Sequence, residues 1–310
     1  LDEEEESMNK ATDLQQRLVS GGRVLLAEIS PPAESTPAGV QQLAKRFAGK
    51  VHALGISDNR DRVGMAALAA ASLVAGQGVE PVLHVTTRDR NRIALVSEVL
   101  GAQALGIRNI LCTSGTHQTL GQFRSAKNVY DIDVIQLLQT CANLASDGAL
   151  VGEGAFAGTE SFCLGAVASP NADPLELQMM RLGKKVSAGA GFLVSQPVYD
   201  TERFTAWWAE VSRRGLHEKA AIVAGIEPLG EHVLEHVRAK RRPLPRIPDA
   251  VLQQVAVKSD AAGRRRAAID LAIETVKRLS GTKGLRGFSI GVDGDPDAAL
   301  EIIEKSGLGT

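Results

Sequence analysis

Eight short runs of almost continuous apolar residues recur along the chain: 24-VLLAEI-29, 51-VHALGIS-57, 81-PVLHVTT-87, 108-RNILCTS-114, 161-SFCLGAVA-168, 191-GFLVSQ-196, 220-AAIVAGI-226 and 286-RGFSIGV-292. Runs of this length without strict alternation suit parallel strands covered on both faces. Between them, helical patterning marks residues 38–48, 62–76, 90–104, 131–146, 173–188, 200–214, 248–256 and 260–280. Within 131–146, Ile132, Ile135, Leu138 and Cys141 fall on one apolar stripe. A last helix is predicted in 296-PDAALEIIEKSGL-308, with Pro296 suited to a first turn and Gly307 to a stop.

Eight such strand–helix units in about 290 residues predict a (β/α)8 barrel. A doubly wound open sheet is the rival, but it announces itself by GxGxxG after its first strand, where this chain has Pro31 and Pro32. GxxxxGK[ST] is absent too, and the Gly-rich 152-GEGAFAG-158 has the wrong spacing and precedes a strand, so it reads as a long loop. No Pro/Gly/Ser-rich linker divides the chain. The expectation is one barrel over residues 21–310 behind an acidic extension over 1–20. The start, 1-LDEEEESMNK-10, lacks the apolar core of a signal peptide. Met8 is a candidate native start; a partly disordered acidic tail is the other reading.

Charge and composition narrow the function classes. With 35 Lys and Arg against 36 Asp and Glu, the net charge is −1, which offers no basic field for nucleic acid or an anionic membrane. No apolar run approaches the roughly 18–20 residues that span a bilayer. Cys112, Cys141 and Cys163 are far apart with no CxxC pair, which argues against a zinc ribbon or a secreted disulfide framework and favours a cytoplasmic setting.

Chemistry in such a barrel collects at the C-terminal ends of the strands. Those ends carry Glu28, then Ser57-Asp58-Asn59, His84 with Thr86 and Thr87, Thr113-Ser114-Gly115-Thr116, and Gln196. The ring contains no carboxylate pair for glycoside hydrolysis, no Ser–His–Asp order and no metal-ligand spacing. It suits a flat heteroaromatic group with one proton donor beside it. Plainer readings stand next to these. Glu28 is also placed as a salt-bridge partner, His84 between Leu83 and Val85 reads first as a satisfied core histidine, and residues 113–116 are equally an ordinary turn. His232 and His236 lie i, i+4 among charged residues without the HExxH glutamate, so a solvated helix face is the better reading. The runs 238-RAKRR-242 and 264-RRR-266 read as solvated charge, and Trp207-Trp208 as helix packing.

Taken together, 28-EISPP-32, 84-HVTTRDRNR-92, 130-YDIDVIQLL-138, 183-GKKVSAGAGFLVSQPVYD-200 and 225-GIEP-228 make the chain resemble the 5,10-methylenetetrahydrofolate reductase family over nearly all of 20–308. The ending, 286-RGFSI-290 and then a terminal helix closing in SGLG, is more similar to reductases of acetyl-CoA-pathway and other specialised one-carbon bacteria than to the enterobacterial form. The resemblance implies a flavin-dependent (β/α)8 barrel that makes 5-methyltetrahydrofolate, within one-carbon metabolism and methionine biosynthesis. It implies FAD, with FMN as a variant, and NADH or NADPH as electron donor. It implies Glu28 as the general acid that opens the imidazolidine ring of the folate, in a water-poor mouth where burial keeps a proton on it. Gln196 and Tyr199 are then implied to bind substrate, the amide offering donor and acceptor to the pterin without charge. Ser57, His84, Ser114, Gly115, Thr116, Tyr130, Ala166 (through its backbone) and Lys185 are implied to contact the flavin, and no metal is implied. A homo-oligomer or an electron-transfer partner subunit is a further expectation.

Three departures from the family pattern bear on the cofactor. The fourth-strand turn is 114-SGT-116, without the carboxylate the family places beside the flavin pyrimidine, so Thr116 should ease reduction of a bound flavin. The last strand ends 290-IGVDGD-295 without the folate-holding arginine, and 226-IEPLGEHV-233 has no aromatic residue to stack on a ligand. Flavin-free transfer from NAD(P)H, another pterin, and a barrel that binds flavin or folate but works only with an electron-supplying partner therefore stay open.

Overall fold

The computed structural model describes residues 11–60, 62–144, 156, 160–239, 247–292 and 294–309. Its eight strands are β1 (Val24–Ile29), β2 (Ala53–Ile56), β3 (Pro81–Thr86), β4 (Asn109–Thr113), β5 (Cys163–Ala168), β6 (Phe192–Pro197), β7 (Ala221–Ile226) and β8 (Gly287–Gly291). They pair in parallel in chain order, and β8 returns to β1, closing the barrel. The expected (β/α)8 architecture is the one formed. The expected extension through residue 10, the 152–158 loop apart from Phe156, and residues 240–246 fall outside the described residues.

Each strand divides its side chains between two cores. Leu25, Ala27 and Ile29 of β1 point outward into the layer shared with the helices, while Val24 and Leu26 point into the barrel. Val82, Leu111, Cys163, Phe192, Val194 and Val223 fill that interior with them. Burial on both faces is why the strands read as continuous apolar runs. The alternation also carries Glu28, two residues beyond Leu26, to the upper interior.

The surrounding helices are α1 (Asp13–Val19), α2 (Ala38–Phe47), α3 (Ala67–Ala75), α4 (Arg92–Ala104), α5 (Val134–Leu144) and α6 (Leu175–Ser187), followed by α7 (Thr201–Arg213), α8 (Leu216–Lys219), α9 (Glu231–Arg238), α10 (Asp249–Ala256), α11 (Ala261–Ser280) and α12 (Pro296–Lys305). On α7, Trp207 and Trp208 are buried with Phe204, Trp208 stacking on it at a ring separation of 6.0 Å. The helix expected from residue 62 begins only at Ala67. Residues 62–66 instead pack on the double proline: Met65 N–H donates to Pro32 O at 2.9 Å, and a Cβ at Gly64 would lie 2.3 Å from Pro31 O. Among the described residues no helix is long and apolar enough to cross a membrane.

Helices α1 and α8 were absent from the helical segments read in the sequence, α9 was anticipated only as the helix face carrying His232 and His236, and α1 matters most. Thr12 caps it, its Oγ1 accepting from Gln15 N–H at 3.0 Å, and Asp13 sits favourably in the first turn. Leu14 and Leu18, one turn apart, enter the interior cluster from the N-terminal end of the strands. A buried polar latch holds the plug. Asn109 donates from Nδ2 to Glu80 at 2.6 Å and accepts from Thr12 Oγ1 at 2.8 Å. Burial pushes the Glu80 carboxyl up, against these hydrogen bonds.

Leu14 is 1% exposed, so Leu14→Ala leaves a cavity at the closed end of the barrel. The expected loss is roughly 2–5 kcal/mol, read as a lower urea midpoint at unchanged m-value. A loss under about 0.5 kcal/mol would mean that the plug contributes no packing.

Candidate active site

At the end opposite the plug, a cleft of about 280 Å³ opens among the strand C-termini. Its walls include Glu28, Ser57, His84, Ser114, Gly115, Thr116, Lys185 and Gln196. Eight of the eleven residues singled out in the sequence therefore share one cavity.

Glu28 is flanked in register by two glycines, Gly55 on β2 and Gly291 on β8. The space they leave is used by other side chains. A Cβ at Gly55 would lie 3.1 Å from His84 Nε2, and one at Gly291 would lie 3.2 Å from Glu227 Cγ. Across this space runs a chain of hydrogen bonds that sequence reading missed. Arg60 donates from Nη1 to Glu28 Oε1 at 3.1 Å and from Nη2 to Glu227 Oε1 at 2.7 Å. Tyr199 Oη donates to Glu227 Oε2 at 3.2 Å. Glu28 is thus the salt-bridge partner that the plainer reading allowed, and it also faces the cleft.

The loop after β2 delivers Arg60. Asn59 adopts a left-handed conformation (φ 48°), which asparagine tolerates, and its Oδ1 accepts from Gly64 N–H at 3.2 Å. That turn sends Arg60 back across the mouth. Asp58, also buried, ties β2 to β3 by accepting from Thr86 N–H at 3.0 Å and pairing with Arg90. Arg88 donates to Asn59 O at 2.9 Å and Thr116 O at 2.6 Å, so one buried guanidinium fastens two rim loops. Its place in the quoted 84-HVTTRDRNR-92 motif was the available signal.

His84 is kept neutral. Burial pulls its imidazole below the ordinary histidine value, Arg60 adds to this, and the carboxylates of Glu28 and Asp58 oppose it. Across the cleft, the 114–116 turn presents neutral groups. Gly115 has φ 75°, and a Cβ there would meet Thr86 Cγ2 at 2.4 Å, so the turn requires glycine. Lys185 reaches in from α6 to donate to Val167 O at 2.5 Å. Burial, reinforced by Arg181, pulls its ammonium down to about 8.

Gln196 owes its aim to an irregularity. The β6–β7 register shifts between Val194 and Pro197, with Ser195 Oγ accepting from Gly225 N–H at 2.9 Å in the gap. Gln196 Oε1 is buried and finds no hydrogen-bond partner among the described residues. An unsatisfied buried amide oxygen lining a cavity is a place for a ligand donor.

The other three singled-out residues sit differently. Tyr199 is buried behind Glu227, in a cluster with Leu229, Val233 and Leu234, because its hydroxyl is taken up by that carboxylate. Tyr130 is 40% exposed on the rim, outside the cleft lining. The Ala166 side chain faces the helical layer, leaving only its backbone on the barrel side. Among the described residues no group of three His, Cys, Asp or Glu side chains could hold a metal, and the His232 and His236 rings meet in a tilted contact at 4.3 Å.

Residues 13–307 match the model of the family described as methylenetetrahydrofolate reductase. The chain belongs to this family. It is 27% identical over 244 residues to methylenetetrahydrofolate reductase 1 of Schizosaccharomyces pombe, covering 74% of this chain and 36% of that protein. With a Caenorhabditis elegans protein named "Probable methylenetetrahydrofolate reductase (NADPH)" it shares 25% over 225 residues, 71% of this chain and 31% of the relative. The chain thus spans about a third of the length of these curated relatives. A solved structure from Clostridium thermocellum, of an uncharacterized protein that binds two copies of 5-methyl-5,6,7,8-tetrahydrofolic acid, superposes with a TM-score of 0.62 at 12% identity, covering 94% of this chain and 97% of that one. That likeness shows the barrel fold alone.

Lys185 gives a pH-dependent signature. The unfolded chain keeps its proton up to about 10.5 and the folded protein only to about 8, so the unfolded state binds more protons between these values and stability rises with pH there. Lys185→Met removes the effect. The stability of the wild type relative to the variant should increase by about 2 kcal/mol from pH 8 to pH 10 in urea unfolding. A constant difference would mean that the ammonium is not desolvated.

Proposed function

We propose that this chain reduces 5,10-methylenetetrahydrofolate to 5-methyltetrahydrofolate in the cleft at the barrel mouth. The observation that carries the reading is the presence of Glu28 and Gln196 in one cavity, the amide oxygen buried and without a partner among the described residues. Family membership and the names of the curated relatives support it. The folate bound by the Clostridium thermocellum protein is the same class of molecule. The chain's ending favours the specialised one-carbon bacterial branch.

The residues fit a flavin, and FAD is the proposed cofactor. Neutral groups line the 114–116 turn, Gly115 keeps that turn slim, and Ser57, neutral His84 and the buried Lys185 ammonium complete a hydrogen-bonding wall. Tyr130 would contribute from the rim and Ala166 through its backbone alone. When bound and reduced by NADH or NADPH, the flavin supplies the hydride that the bridging carbon receives.

The chain's own groups supply the rest. Gln196 offers its buried amide oxygen to a pterin N–H, which fixes the plane of the ring without introducing charge. Glu28 delivers a proton to N10 as the bond between N10 and the bridging carbon breaks, and that carbon becomes electrophilic. The proton on N10 and the hydride on carbon together balance the reaction. His84, neutral beside Glu28, adds no competing positive charge.

Incubating the protein with FAD, NADH or NADPH, and methylenetetrahydrofolate should yield 5-methyltetrahydrofolate. Glu28→Gln should leave reduction of the flavin by the nucleotide nearly intact and slow its reoxidation by the folate by roughly 10²–10⁴-fold. Equal losses in both half-reactions, or none in the second, would remove Glu28 from the chemistry. A preparation that stays colourless with added flavin yet turns over NAD(P)H would assign direct transfer from the nucleotide. Turnover only with an added electron-carrying protein would assign a partner subunit.

A further inference from the structure

The role proposed for Glu28 and the company it keeps pull in opposite directions. A general acid must carry a proton, yet Glu28 is paired with Arg60, and a guanidinium at 3.1 Å stabilises a carboxylate's charge. The pairing is lopsided. Arg60 sits nearer to Glu227, at 2.7 Å, and the Glu227 side chain is 5% exposed against 22% for Glu28. Glu227 is steadied by Tyr199 and rests over Gly291, whereas Glu28 lines the cleft where a ligand enters. A guanidinium donates from separate arms, so it can release one carboxylate while keeping the other.

We propose that Arg60 is a positioning residue that governs when Glu28 becomes an acid. Before folate enters, Arg60 holds Glu28 as a paired carboxylate. Entry of the ligand turns Arg60 wholly onto Glu227, and Glu28 takes up one proton from water. The inference rests on the folate reading above. A bare carboxylate left in a cleft closed by ligand would be desolvated with no counter-charge, and protonation relieves that cost. The balance is simple: one O–H bond forms on Glu28, one solvent proton is consumed, and the same proton is later passed to N10.

The other groups around Glu28 leave it as the site of the change. From the β2 end come Arg60 and Asp58, and Asp58 is already engaged by Thr86 N–H and Arg90. His84 comes from β3 and is held neutral by burial. Beyond β7 stands Glu227, while the register neighbours on β2 and β8 are glycines.

The test is calorimetric titration of the whole protein with 5,10-methylenetetrahydrofolate near pH 7, without an electron donor, in buffers of different ionisation heat. Wild type should take up about one proton per ligand bound. Glu28→Gln should take up none. Arg60→Met should take up much less than wild type, because Glu28 and Glu227 without their shared cation already hold a proton between them. Arg60→Lys keeps the charge and should restore much of the uptake, which separates the effect from misfolding; thermal unfolding of each variant checks the fold. Binding without proton uptake by wild type, or wild-type uptake by Arg60→Met, would overturn the inference while leaving the folate reading intact. No binding at all would overturn that reading and this inference with it.

Discussion

Inside an eight-stranded barrel the width is just enough for side chains to fill, so a large residue on one strand needs a small one beside it. Gly55 and Gly291 satisfy that requirement on the two sides of Glu28. The first leaves room for the His84 ring and the second for the Glu227 stem. With methyl groups at both positions, neither side chain would keep its present place without the structure shifting. The polar centre of the mouth thus depends on absent atoms as much as on the charged groups themselves. The same rule works lower down, where Gly165 makes way for the Phe192 ring that fills the apolar interior.

The molecule separates its stabilising and chemical ends. At the N-terminal end of the strands, Glu80, Asn109 and Thr12 form a hydrogen-bonded group beneath the leucines of α1. At the other end polar groups are numerous, several carry net charge, and Gln196 Oε1 finds no partner among the described residues. Unsatisfied or desolvated groups cost free energy, so such a mouth is sustained by the packing below it. The cluster of Tyr199, Leu229, Val233 and Leu234 repeats this on a smaller scale, an apolar patch behind Glu227 that fixes where its charge can go.

What the sequence disclosed follows from the physics of each signal. All eight strands were legible because burial on both faces writes itself as an apolar run, and a run needs no knowledge of its neighbours. The α1 plug was hidden by its setting. Two leucines one turn apart, next to an acidic stretch, look like part of a tail until something shows what they cover. Glu28, His84 and Gln196 could be singled out because each interrupts an apolar strand. Arg60 could not, since it lies in a polar loop among other charged residues, and nothing in the spacing of positions 28, 60 and 227 links them. Only closure of the sheet brings those three together. Tyr199 was noticed as an aromatic residue after β6, but its hydroxyl turns to a carboxylate 28 residues on, beyond the next strand, which local pattern cannot express.

The α1 plug has a kinetic meaning as well as a structural one. With Leu14 and Leu18 filling the far end, the described barrel is a cul-de-sac whose floor is reached from one side. Reactants that need the same square of floor must queue: the first has to leave, or surrender what it carries, before the second can approach. A two-reactant chemistry housed there would run as a relay, with the enzyme itself changed between visits.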